Sequence, residues 1–110
     1  MPLPVLLVVE DEESDVLLLE RALSRARPTF RMVHVPTGEA AINYVRGKGS
    51  YGDRRRYPAP DVVLLDLKMP RQDGFAVLRW RQETRGVARL PVVVFSSSDL
   101  KQDIDRALEM

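Results

Sequence analysis

The chain has 110 residues, 45% of them hydrophobic, with 17 basic and 16 acidic side chains and a net charge of +1. That length fits one domain spanning 1–110, and the charge balance gives no bulk attraction for nucleic acid or a membrane surface. There is no cysteine and a single histidine, His34, which excludes disulfides, thiol chemistry and zinc sites built on cysteine or several histidines.

No apolar run approaches the ~18 residues of a membrane span. Met1-Pro2-Leu3-Pro4 lacks the basic start and long apolar core of a signal peptide. A cytoplasmic chain is therefore expected.

Val5-Leu6-Leu7-Val8-Val9 is a solid apolar run and predicts a central strand. It delivers Glu10-Asp11-Glu12-Glu13 at its carboxyl end. Four adjacent acids repel one another unless water or a cation screens them. They read either as a solvated loop or as hard oxygen ligands suited to Mg²⁺. Ser14 or Asp15 can cap the next helix, whose buried stripe is Val16, Leu19, Leu23 and Ala26, widened by Leu18 and Ala22. Pro28 stops it.

Met32-Val33-His34-Val35 predicts a short edge strand, in which His34 packs or faces water. Thr37 caps a second helix, Glu39 sits in its first turn, Ala41, Ile42 and Val45 form its apolar face, and Gly47 ends it. The stretch 47–60 is the longest irregular one. It places Arg54-Arg55-Arg56 between Tyr51 and Tyr57. A solvated linker is the plainer reading; a basic, aromatic-flanked contact for an acidic partner is the other.

The run Val62-Val63-Leu64-Leu65 predicts a strand buried on both faces and ends in Asp66, where open α/β sheets bind ligands. Nothing in a core asks for a carboxylate there. It is either a solvated strand-end residue or a chemically active one. Asp73-Gly74 marks a turn before a helix from Phe75 to about Thr84, with Arg81 on its Val77 stripe and Trp80 taking over that packing. Leu90 to Phe95 predicts a third buried strand, ending in Ser96-Ser97-Ser98. Leu100, Ile104, Ala107 and Leu108 mark a last amphipathic helix.

Four strand–helix repeats make an α/β parallel sheet with right-handed crossovers. Its buried strands then carry Glu10 and Asp11, Asp66, and Ser96 to one edge. A carboxylate can attack phosphorus and form an aspartyl phosphate. A divalent cation held by neighbouring acids offsets the repulsion between the two anions, and a hydroxyl can donate to a phosphoryl oxygen. No G-x-x-x-x-G-K loop is present, so a nucleotide is not the expected direct donor.

These residues resemble the receiver domains of two-component response regulators. The match rests on Val8-Val9-Glu10-Asp11, on Leu64-Leu65-Asp66-Leu67-Lys68-Met69-Pro70, on Asp73-Gly74, and on Pro91-Val92-Val93-Val94-Phe95-Ser96-Ser97. The arginine loop and Leu67 to Gly74 look most like stand-alone receivers paired with bacterial phytochrome-type histidine kinases. The resemblance implies a flavodoxin-like, doubly wound sheet of order 2-1-3-4. It implies that Asp66 accepts a phosphoryl group from a sensor histidine kinase. Mg²⁺ would be held by Asp11, Asp66, Glu10 and the backbone carbonyl of Lys68. Ser96 would bond the phosphoryl group, and small Ser97 would leave room for the donor. No nucleic acid or membrane partner is expected, and no enzyme activity beyond the chain's own phosphorylation and dephosphorylation.

Receivers also have a fifth strand, starting with a lysine that reaches the phosphoryl group, and a fifth helix. The sequence stops at Met110, in the expected fourth helix, so these elements are expected to be missing. About six buried apolar side chains would go with that helix, about 9–18 kcal/mol, against a whole-domain stability of ~5–15 kcal/mol. A homodimer through the open sheet edge or uncovered face is one expected remedy. Two other classes compete: a receiver-fold interaction module without phosphotransfer, and a hydrolase using Asp66 as nucleophile. The hydrolase wants an acid where Lys68 stands.

Overall fold

The computed structural model describes residues 3–25, 30–66 and 73–95. The elements run β1 (Val5–Val9), α1 (Glu13–Ser24), β2 (Arg31–Val35), α2 (Gly38–Arg46), a short 3₁₀ helix (Gly49–Gly52), β3 (Val62–Asp66), α3 (Asp73–Glu83) and β4 (Val92–Phe95). The strands form one parallel sheet in the order β2-β1-β3-β4. The alternation of strands and helices predicts the parallel sheet, and its order is the flavodoxin-like one that the resemblance implies.

β1 is central, and all five of its residues are buried. A run apolar at every position suits it because its two faces meet separate layers. Leu7 and Val9 join Val35, Ala41, Tyr44, Val63, Leu65 and Val77 under α2 and α3. Leu6 and Val8 face the other way and pack with Leu19 of α1. The strand entrance is closed by Asp61, whose carboxylate accepts the Val5 amide at 2.7 Å while its own amide donates to the Val5 carbonyl at 2.8 Å.

The predicted start of α1 is corrected. Ser14 and Asp15 lie inside the helix, and the N-cap is Glu12, without a side-chain cap bond. Glu13 and Asp15 fill the first turn, where carboxylates suit the helix dipole. Val16 and Leu19 are buried as expected, and the helix stops at Ser24, ahead of the Pro28 expected to stop it. In α2 both signals act as read. Thr37 accepts from the Ala40 amide at 3.0 Å, and Gly47 closes the helix with φ 68°, in the left-handed region.

The stretch after α2 is not a solvated linker. Tyr44 is fully buried, and its hydroxyl donates to the Pro58 carbonyl at 2.8 Å. Tyr44, Tyr51 and Tyr57 pack against one another, one pair tilted and two edge-to-face, with ring centroids 5.1 to 6.1 Å apart. Arg54 is half-buried and donates to the carbonyls of Tyr44, Val45 and Tyr57 at 3.0, 2.9 and 3.3 Å. A helix's last carbonyls lack partners within the helix, and the guanidinium fork satisfies them here. Arg55 and Arg56 remain exposed.

Arg81 on the Val77 stripe is resolved by a polar contact: its Nε donates to the Leu90 carbonyl at 2.6 Å. β4 departs from the expected buried strand. Val93 is 53% exposed and Val94 46%, and among the described residues β4 pairs only with β3. The expected last helix from Leu100 lies outside the described residues.

Candidate functional site

Parallel pairing decides which carboxylates meet. Val9 is in register with Leu65, so Glu10 and Asp66 occupy the next step at the carboxyl edge of neighbouring strands. One carboxylate oxygen from each of Glu10, Asp11 and Asp66 lies within 4.8 Å of the others. The sheet thus assembles three of the sequence-predicted site residues. Lys68 and Ser96 lie outside the described residues.

The three acids are not equivalent. Asp11 is exposed, while Glu10 is 0% and Asp66 1% exposed. Glu10 Oε1 accepts the Glu12 amide at 3.0 Å, which ties the cluster to the first turn of α1. Its Oε2 is buried with no hydrogen-bond partner among the described residues. A buried acceptor in that state is costly. Facing a second carboxyl, it gains a bond only if one of the pair takes up a proton or a cation comes between them.

The protonation equilibrium reflects this. The Glu10 carboxyl is raised from 4.5 to about 8, first by burial and then by the neighbouring Asp66 carboxyl; the Glu12 amide pulls the other way. Asp15 is also raised, first by its partial burial and then by the charges of Asp66 and Asp11. The sequence pattern marks Asp15 only as a cap candidate. Its place one turn beyond Asp11 was the signal that it belongs to the same field.

His34, expected to pack or face water, makes a specific polar contact. Its Nε2 lies 2.6 Å from the Glu10 main-chain oxygen, and the Glu10 amide donates to the Val35 carbonyl at 3.2 Å. β2 thus holds the peptide that carries the acids. No signal within a few residues of His34 could have shown this, because the two residues are 24 positions apart.

A set made only of hard oxygen donors, with one buried oxygen lacking a donor, fits a small divalent cation such as Mg²⁺. Among the described residues no helix is long and apolar enough to cross a membrane.

Residues 6–110 match the response regulator receiver domain, and the chain belongs to that family. Among proteins it resembles is response regulator Rcp1 of Synechocystis sp., 30% identical over 99% of this chain and 72% of Rcp1. A crystal structure of the Mn²⁺-bound form of Rcp1 matches with a TM-score of 0.74 at 30% identity, covering 99% of this chain and 77% of that one. Response regulator RPA3017, described in red light signalling of R. palustris, gives a TM-score of 0.80 at 36% identity, over 97% of this chain and 75% of that one. The phosphorylated cyanobacterial phytochrome response regulator RcpA gives 0.75 at 31% identity, over 94% and 76%.

Proposed function

We propose that the chain is a phosphoacceptor in phytochrome-linked two-component signalling, with Asp66 as the residue phosphorylated by a sensor histidine kinase. The observation that carries this is the buried pairing of Glu10 with Asp66 beside Asp11 at one sheet edge. The likeness to receivers named as phytochrome response regulators supports it. In the reaction an Asp66 oxygen attacks phosphorus, the P–N bond to the donor's imidazole breaks, and that nitrogen keeps the electron pair and is then protonated.

Glu10, Asp11 and Asp66, with the Lys68 carbonyl, are the proposed Mg²⁺ ligands. When bound, the cation offsets the charge of two approaching anions. Asp11, together with Glu10 once it has given up its proton, supplies the negative charge that favours a cation at this edge, and burial keeps the Asp66 carboxylate largely out of bulk water. Ser96 is proposed to donate to a phosphoryl oxygen. The protein's only chemistry on this reading is its own phosphorylation and dephosphorylation. The absence of cysteine agrees with a cytoplasmic setting.

Incubation with acetyl phosphate and Mg²⁺, read by intact mass, is the test. The expected result is an adduct of one phosphoryl group that is absent without Mg²⁺ and absent in Asp66→Asn. A wild-type chain that binds Mg²⁺ and forms no adduct overturns the proposal. That result would favour a second reading, a receiver-fold module that pairs through its sheet edge. The half-exposed Val93 and Val94 support it, and sedimentation at rising concentration would show the dimer.

A further inference from the structure

His34 stands on β2 opposite Val8, on the α1 face of the sheet, and its ring reaches past the end of β1 to the Glu10 carbonyl at 2.6 Å. A carbonyl oxygen only accepts, so Nε2 carries the proton in this contact. The bond is not needed to join the strands. β1 and β2 already pair over five positions, from Val5 with Arg31 to Val9 with Val35.

What the bond fixes is the peptide between Glu10 and Asp11. A peptide unit is planar, so holding its carbonyl sets the direction in which the Asp11 Cα leaves it. Glu10 is tethered three times. Its amide donates to Val35, its carboxylate accepts from Glu12, and its carbonyl accepts from His34. The first uses main-chain groups that any residue offers, and the second holds the Glu10 carboxylate rather than the peptide that follows it. The third depends on a side chain. Asp11 is exposed, so packing alone does little to aim it.

We propose that His34 is a positioning residue for the carboxylate cluster, holding the Glu10–Asp11 peptide so that Asp11 is presented to the same cation as Glu10 and Asp66. The inference rests on the cation site proposed above. Ligands held in place lose less freedom on binding than ligands that must be ordered. Removing the His34 bond therefore weakens the cation in addition to any cost to the fold.

The test is Mg²⁺ binding by isothermal titration calorimetry on the full chain, alongside melts in EDTA. His34→Leu keeps apolar bulk without a donor, and His34→Gln keeps an N–H able to reach the carbonyl. His34→Leu is expected to weaken Mg²⁺ about three- to tenfold, and His34→Gln to stay within about twofold of wild type. Melting in EDTA is expected to fall by a few degrees for His34→Leu and to stay near wild type for His34→Gln, with all three chains folded at the titration temperature. If His34→Leu does not fold, His34→Asn, whose shorter amide falls short of the carbonyl, replaces it with the same expected loss. Unchanged affinity in the donor-less variant overturns the inference and leaves the cation site standing. A loss that glutamine does not restore also overturns it. A wild-type chain that binds no Mg²⁺ overturns the cation site itself, and His34's role with it.

Discussion

Glu10→Gln in metal-free protein tests the electrostatics of the site most directly. The Glu10 carboxyl sits at about 8 in the folded chain against 4.5 unperturbed. The folded state therefore holds a proton that the unfolded state releases. The stability this contributes is fully present below pH 4.5 and lost as pH rises to and through about 8. At 1.36 kcal/mol per pH unit the full span is at most about 5 kcal/mol. The exposed Asp11 lets water near, so about 2 kcal/mol is the working expectation.

Glutamine keeps an acceptor for the Glu12 amide and brings an N–H to the position where Oε2 has no partner. In EDTA, Glu10→Gln should match wild type near pH 4.5 and exceed it at pH 8 by about 2 kcal/mol, or about 8 °C in melting temperature. With Mg²⁺ at a hundred times its Kd, wild type should gain about 2.7 kcal/mol, and Glu10→Gln much less. Urea melts at the two pH values, with and without Mg²⁺, read all four numbers. A glutamine variant less stable than wild type at pH 8 in EDTA would refute the argument, because Glu10 would then be serving the fold as a charged group.

Other outcomes follow from the α2 end of the molecule. Arg54→Ala removes three bonds to main-chain carbonyls and should cost about 2–3 kcal/mol in urea melts, with Mg²⁺ affinity unchanged because the residue belongs to a different part of the fold. Gly47→Ala puts a Cβ 3.0 Å from Arg54 Nη2 at φ +68°. A left-handed alanine alone costs about 1–2 kcal/mol, so a drop of about that size or more is expected. Thr37→Ala removes the cap bond to Ala40 and should cost about 1 kcal/mol, while Thr37→Ser should recover most of it.

Much of the fold was legible along the chain. The apolar runs marked β1 and β3; β1 is buried on both faces, whereas in β3 Val62 and Leu64 on one face are only half-buried. Thr37 and Gly47 bounded α2 because caps act within a few residues. The acids at two strand tips identified the edge that carries the chemistry. In each case a short segment contains its own cause.

The rest was decided between residues far apart in the chain. Sequence could not say that Glu10 would be buried while Asp11, its neighbour, stays exposed. The register of β1 with β3 settled that, and with it the raised Glu10 carboxyl. The sequence does not single out Tyr44, and its plainer reading puts Arg54 in a solvated linker. Each acquires its role from carbonyls that other segments bring to it. His34 meets Glu10 across 24 positions and Asp61 meets Val5 across 56. A pattern of residue types records which groups need partners; only the packed sheet determines which partners they get.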